Sequence, residues 1–576
     1  MKVYLAADCV ISLNRIFSTH FSSKENAVDH LPDGVPPFVL KPIPWQNYVP
    51  SKENKLADET ALERLFFDTA DVLFSQYKCE SQKLTDRFGL IISTTKGNID
   101  LLDGDKPIDA RCYLSVMAER IATYYGFISK PIVISNACIS GISALVVGKR
   151  LIQSGQYDEV MVLGGDLMTE FVHEGFAAFH ALSSTLCMPF DAARDGLTLG
   201  EACGGVILTR YRGKALDRNI ILEGGAMTSD ASHVTAPSRT GDGLYYAIQA
   251  TLSDVGIPAE AAADNIDYVN AHGTGTVYND EMESKAIDWA GLQTCPVNSL
   301  KPYLGHTLGA SGIVEAILCM EQMHCDRVWR TPGFSSLGVP KAICVSAHEQ
   351  KTVRGNVNRV LKLASGFGGT NGALILVKEG FASESKSQTV SGKPVETASY
   401  RISSEQIPKG TKPDFYQRIS DEFHRLNRPN LRFFKMDSLS KLGYVTSEYL
   451  LSNVQLAGKY QPQEVGIVLA NRSSSLDTDL AHQRIVEQHL PEGASPSVFV
   501  YTLPSVTAGE ISIRHKIKGE CTFFIQSEKD LNFLRSYAEL LMTNGILKAV
   551  IYGWCELLGE EYDADFHLLE LSNDLK

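Results

Sequence analysis

Pro131–Gly148 reads PIVISNACISGISALVVG: an apolar run of strand length, an abrupt polar break, one cysteine, then a stretch of small and apolar residues. Pro131–Ile134 (PIVI) predicts a strand buried on both faces, and Ile139–Ser154 predicts a helix. Cys138 falls between them, on a sharp strand-to-helix turn of the kind that exposes a side chain. The positive end of the helix dipole favours thiolate over a free thiol of pKa ~8.5. Taken alone, a cysteine beside alanine and glycine is also what an inert core position looks like.

The same alternation extends in both directions. Gly89–Ser93 (GLIIS), Val160–Leu163 (VMVL) and Gly205–Leu208 (GVIL) predict further strands, and Gly312–Met323 predicts another helix. To about residue 378 the pattern is that of stacked α/β layers. At 576 residues the chain exceeds the roughly 250–300 at which single cores stop growing. A net charge of −13 and a pI near 5.6 argue against nucleic acid as a partner. No apolar run reaches the ~18–20 residues of a membrane span. The opening MKVYLAADCVISLNRIF is broken by Asp8 and lacks a clean small-residue cleavage site, so it predicts a first strand, not a signal peptide. Twelve cysteines are scattered from Cys9 to Cys555 without a CxxC pair. That pattern predicts neither a metal site nor a disulfide framework, and fits a reducing, cytoplasmic setting.

Residues 379–400 are rich in Ser, Thr, Lys and Glu without an apolar period, and predict a linker. Residues 401–576 then form a second α/β segment that resembles a worn repeat of the first. Tyr124–Ser135 matches Ile513–Ile525, and Tyr157–Leu167 matches Ile546–Leu557, both at an offset of 389. Arg87–Ser93 (RFGLIIS) matches Glu464–Ala470 (EVGIVLA) at a smaller offset. Three collinear matches point to internal duplication, although parallel βαβ segments resemble one another in general. By the offset, Ser527 takes the place of Cys138. The chain ends before any counterpart of the later motifs, so this segment cannot repeat their chemistry.

Those motifs are YVNAHGTGT with His272, and SLKPYLGHTLGASG with Lys301 and His306. Each histidine ends a strand-like run and enters a glycine-rich turn, where side chains face clefts. Together with Cys138, with Met188–Gly204 (MPFDAARDGLTLGEACG) and with GFGGTN at Gly366–Asn371, they occur in the order found in β-ketoacyl synthases. The chain resembles that family strongly over residues 80–378 and weakly before. The resemblance implies an α/β, thiolase-like fold of stacked αβαβα layers. Its N-terminal half, 1–210, would hold the nucleophile and its C-terminal half, 211–378, the His/Lys loops. A second, partial thiolase-like segment would follow. It implies that Cys138 accepts an acyl group and that His272 and His306 hydrogen-bond a malonyl thioester during decarboxylative Claisen condensation. Lys301, paired with Glu315, would support the histidines. The backbone N–H groups of Cys138 and Phe367 would form an oxyanion hole, with Phe367 and Gly368 in the gating loop. Thr274 and Thr276 would bind the phosphopantetheine arm, whose 4'-phosphopantetheine belongs to an acyl carrier protein; no cofactor or metal of the chain's own is implied. The Cys-His-His set resembles the elongating synthases.

Three departures bear on substrate. Ala364-Ser365 stands where the family usually has a second Phe, Asn279 replaces a Gly, and NACISG departs from the commoner TACSS pattern. They point to an unusual acyl group, of fatty acid, polyketide or aryl-polyene type. The expected partners are an acyl carrier protein and a second ketosynthase-like surface, in a homodimer, a heterodimer, or in cis through residues 401–576. An acidic carrier protein would meet a basic rim, for which Lys52, Lys55 and Arg64, or Arg210, Arg212, Lys214 and Arg218, are candidates. The alternative is a non-catalytic partner such as a chain-length factor or scaffold. A degradative thiolase would bring a late catalytic cysteine that SGFGGTNGALIL lacks.

Overall fold

The opening run forms the strand Tyr4–Phe17, which begins a sheet that traverses the molecule. From it inward follow Leu199–Thr209, Glu159–Asp166, Phe88–Ser93 and Ile132–Ile134. The last three are parallel, and the strand of the nucleophile lies innermost. The computed structural model describes residues 1–17, 40–42, 55–78, 84–214, 216, 219–352, 354–383, 392–406, 414–489 and 493–572.

The sheet continues past Ile132–Ile134. That strand pairs antiparallel with Cys521–Ile525, through Phe524 with Ile134 and Ile525 with Val133. Beyond lie Val465–Asn471, Ala549–Leu558, Glu561–Leu571 and Pro394–Ser403. Each side of the junction thus has three parallel strands followed by two antiparallel ones, related by a local twofold at the Ile134–Phe524 contact. The stretches matched in sequence at the offset of 389 occupy corresponding places in it. Backbone hydrogen bonding at the junction leaves no exposed edge on the nucleophile's strand.

One correction falls on the segment 379–400. Its polar composition predicts a linker, yet Pro394–Ser403 is a strand paired with Glu561–Leu571 from Pro394–Leu571 to Ser403–Asp563. Its alternation is weak because it is the sheet's last strand and mostly solvent-facing, so polar residues satisfy it.

A second layer of strands, joined to the first where Tyr4 pairs with Ile221, holds Ile220–Ser229, Thr370–Lys378, Arg359–Gly366, Tyr268–Asn270, Pro296–Asn298 and Cys344–Val345. Helices Ser140–Gln153 and Ser311–Cys325, both buried along nearly their whole length, fill the space between the sheets. They approach so closely that a Cβ on Gly312 would lie 2.3 Å from the Ile142 nitrogen, and one on Gly141 2.8 Å from the Ile313 nitrogen. Helix Ala61–Tyr77, started by a Thr60–Glu63 capping box, covers the first sheet, and Asp242–Asp254 covers the second. The outcome is the layered αβαβα order, with the nucleophile at the start of a central helix.

Candidate active site

Cys138 occupies the single turn Ala137–Ile139, between strand Ile132–Ile134 and helix Ser140–Gln153. Ala137 is held at φ 48°, left-handed backbone that a non-glycine residue adopts only where its surroundings force it. The forcing contacts come partly from the far end of the chain. The Asn136 carboxamide oxygen accepts the Phe523 N–H at 2.7 Å, and the Ser135 N–H donates to the Phe523 carbonyl at 3.1 Å. Within the turn, the Ser140 hydroxyl accepts the Asn136 N–H at 2.8 Å and donates to the Ala137 carbonyl at 2.6 Å.

His272 follows strand Tyr268–Asn270, and His306 lies just after the short helix Lys301–Leu304. Their rings stand nearly perpendicular with centroids 5.1 Å apart. A nitrogen of each and the Cys138 sulfur all lie within 4.8 Å of one another, and all three residues are buried. The cluster has metal-ligand donors, but Lys301 and Lys362 place positive charge against both imidazoles, which opposes a cation there. The same charges, added to burial, hold both histidines well below their ordinary pKa, so each is neutral. For His306 the tautomer follows from geometry. Its Nδ1 accepts the Leu308 N–H at 3.3 Å and contacts the Ser311 hydroxyl at 2.9 Å, so the proton sits on Nε2.

Glu283 anchors the other histidine's turn, accepting the N–H groups of His272 at 2.7 Å and Gly273 at 2.6 Å. Asp280 accepts those of Thr274 at 3.1 Å and Phe190 at 2.7 Å. Asn279, the departure from the usual glycine, donates to Glu283 at 3.0 Å and so joins this brace. The Thr274 and Thr276 hydroxyls are 2.8 Å apart, next to His272. Lys301 binds Glu315 at 2.7 Å with both buried, as the motif reading expects, and Glu315 also holds Lys362 at 2.5 Å.

Burial pushes the Cys138 thiol up to about 12, while Lys301 and the backbone N–H groups of Cys138 and Phe367 pull the other way. Those two N–H groups therefore converge beside the sulfur, where a thioester oxygen would sit. Gly366 makes this approach feasible, since a Cβ there would meet the Cys138 nitrogen at 3.1 Å. Gly368 has φ 82° and donates its N–H to Val234 at 2.7 Å, fixing the loop.

Beside Cys138 lies an apolar cavity of about 20 Å³, with Val172, Phe176, Leu308, Phe367, Phe499 and Leu503 in its wall. Phe367 packs on Phe176 and Phe179, with ring centroids at 6.0 and 5.4 Å. Phe499 packs on Phe176 at 5.4 Å from the C-terminal segment. Lys362, Phe499 and Leu503 escape a reading by motif: the first is one charge in an apolar strand, and the others are ordinary apolar residues far along the chain. The signal for Lys362 was available, because a lysine inside RVLKLASG has no reason to be there on packing grounds.

The candidates for a basic rim lie beside acidic side chains. Arg64 pairs with Glu59 at 2.7 Å, Arg210 with Asp158 at 2.9 Å, Arg212 with Glu379 at 2.7 Å and Lys214 with Glu159 at 2.7 Å, while Lys55 pairs with Asp71. Each of these side chains has an acidic neighbour, with Asp158 shared between Arg210 and Arg87; Lys52 and Arg218 lie outside the described residues. No described helix is long and apolar enough to cross a membrane.

Residues 48–213 match the family model of the β-ketoacyl synthase N-terminal domain, and 220–335 that of its C-terminal domain. The 3-oxoacyl-[acyl-carrier-protein] synthase 2 of Vibrio harveyi is 31% identical over 323 residues, covering 51% of this chain and 75% of that protein. The synthase 2 of Vibrio cholerae serotype O1 is 34% identical over 277 residues, 46% of this chain; the chain spans 66% of that protein's length, just under two thirds. Among solved structures, a protein described as PfaC Keto synthase-Chain length factor superposes with a TM-score of 0.73 over 100% of this chain and 79% of its own, at 12% identity. That likeness is one of fold, and it includes the C-terminal segment.

Proposed function

The chain belongs to the β-ketoacyl synthase family, and from that premise we propose that it catalyses decarboxylative condensation of a malonyl thioester with an acyl group held on Cys138. The observation that carries this reading is the meeting of one thiol and two neutral imidazoles within 4.8 Å, beside two backbone donors.

In the first half, the Cys138 sulfur attacks an acyl thioester carried by an acyl carrier protein. The carbonyl oxygen takes the electron pair and is held by the N–H groups of Cys138 and Phe367, then returns it as the carrier sulfur leaves, and the proton given up by the Cys138 thiol ends on the departing carrier thiol. Each such donor is worth roughly 3–4 kcal/mol where measured in other acyl-transfer enzymes. In the second half, the malonyl carbonyl oxygen accepts hydrogen bonds from His272 and His306. The C–CO₂ bond breaks, its pair forms the enolate, and CO₂ departs. The enolate carbon then attacks the Cys138 thioester, and Cys138 leaves as thiolate and takes a proton from solvent to restore the thiol. Covalent capture separates the two halves, and the largely apolar wall beside Cys138 limits water at the acyl-enzyme.

Thr274 and Thr276 offer hydroxyls for the amides of the carrier's phosphopantetheine arm. Residues 401–576 act in cis as the second ketosynthase-like surface, bracing the nucleophile turn through Phe523 and walling the acyl cavity through Phe499 and Leu503. An acyl chain of fatty acid or polyketide type would need Phe367 or Phe499 to move. A purely non-catalytic role sits poorly with an intact Cys-His-His set. The test is CO₂ release from malonyl carrier protein by wild type and by His306→Ala. Loss of roughly 10²-fold or more in the variant is expected; equal release from both would refute the assignment.

A further inference from the structure

One buried charge has no part in the condensation just described. Lys362 lies on strand Arg359–Gly366 and is 0% exposed. Its ammonium meets Glu315 at 2.5 Å, donates to the Leu363 carbonyl at 2.6 Å, and reaches the Ala271 carbonyl at 3.5 Å. Two carbonyls accept hydrogen bonds from it and the Glu315 carboxylate lies against it as an ion pair, a setting that suits an ammonium although burial pulls its proton affinity down. The other oxygen of Glu315 binds Lys301 at 2.7 Å. One carboxylate therefore serves two ammoniums, and the cluster keeps one net positive charge where burial makes charge costly.

The groups around that charge are few. Glu315 and Cys319 face Lys362 from helix Ser311–Cys325, Lys301 from its short helix, and His272 and His306 from their turns. Cys319 is a neutral thiol, pushed up to about 12 by burial. Ala271, touched by Lys362, immediately precedes His272. Glu283 lies beyond the His272 backbone, its proton affinity raised to about 7 by burial and by Asp280, and is occupied by two N–H groups. The surplus charge therefore acts on the histidine pair.

We propose that Lys362 is a positioning residue that supplies the excess positive charge steadying the enolate oxygen between His272 and His306. The proposal rests on the condensing reading above. With Lys301 alone the Glu315 carboxylate would balance the charge, so the surplus comes from Lys362.

The test follows CO₂ release from malonyl carrier protein between pH 5 and pH 8.5, with acyl transfer to Cys138 and thermal melting measured on the same samples. Lys362→Met should lower decarboxylation about tenfold at pH 7, a loss worth about 1.4 kcal/mol. Its acid limb should move to higher pH, because imidazoles relieved of a neighbouring cation protonate more readily. Acyl transfer should change far less, and Lys362→Arg should recover most of the rate. An unmoved acid limb, equal losses in both half-reactions, or an arginine variant no better than methionine would overturn the proposal. Should Lys362→Met fail to melt cooperatively, Lys362→Gln takes its place against Lys362→Arg under the same criteria. Wild type that releases no CO₂ would overturn the condensing reading itself, before any variant is compared.

Discussion

Cys138 holds its proton at neutral pH, because burial outweighs the pull of Lys301 and the two backbone donors. Alkylation by iodoacetamide should therefore rise about tenfold per pH unit from pH 7 to 9 without levelling, as expected of a thiol far below its pKa. A plateau near pH 8 would mean an activated thiolate instead. The histidines titrate the opposite way. Each is held well below its unfolded value of ~6.5, so below that pH the unfolded chain binds protons that the folded one refuses. Folding stability should fall as pH drops below about 6.5, by up to ~1.4 kcal/mol per unit per histidine. Urea midpoints at pH 7.5 and 5.5 should show a smaller acid loss in His306→Gln than in wild type; an equal loss would contradict the neutral-histidine site. At this scale the sequence is most informative. Cys138 and His272 each sit where a strand ends in a tight turn, a local pattern, whereas His306 follows the short helix Lys301–Leu304 and not the strand-like run its sequence suggests. Lys362 is set by the partner across the layer and leaves only its own incongruity.

Helix Ser140–Gln153 links the nucleophile to both the second sheet and the C-terminal segment. Its Arg150 pairs with Glu520 at 2.7 Å, both side chains being almost fully buried, while Tyr537 bonds both partners. Arg150→Met strands the Glu520 carboxylate and should cost about 3–5 kcal/mol in chemical denaturation. The double variant Arg150→Met with Glu520→Gln should regain much of it; no recovery would show that packing, not charge, dominates. The crossing with Ser311–Cys325 is equally exacting. Gly312→Ala should destabilise by ~1–3 kcal/mol or more, since the added methyl meets backbone and not a yielding side chain. A neutral result by thermal melting would mean the helices separate easily. Periodicity locates both helices to within a few residues. It cannot locate the strand Pro394–Ser403, whose polar, exposed sequence reads as linker until its neighbour Glu561–Leu571 is placed beside it.

Across the whole molecule, the duplication visible in the sequence reappears as a sheet with a local twofold, closed within one chain at Ile132–Ile134 and Cys521–Ile525. The offset of 389 indicates which strands correspond, but not that the copies face one another, because that depends on contacts between distant residues. Removing residues 401–576 would bare the edge of the nucleophile's strand and take away Phe499, Leu503 and the Phe523 brace. The truncated protein should aggregate or self-associate in light scattering and lose acylation; a well-behaved, active monomer would contradict a structural role for the segment. The most direct measurement is intact mass of the full chain after mixing with acyl carrier protein and then with malonyl carrier protein. Wild type should gain one acyl mass, absent in Cys138→Ala, and lose it on the second addition as a β-ketoacyl carrier appears. A chain that stays unmodified, or that holds its acyl group while no β-keto product forms, would contradict condensation at Cys138.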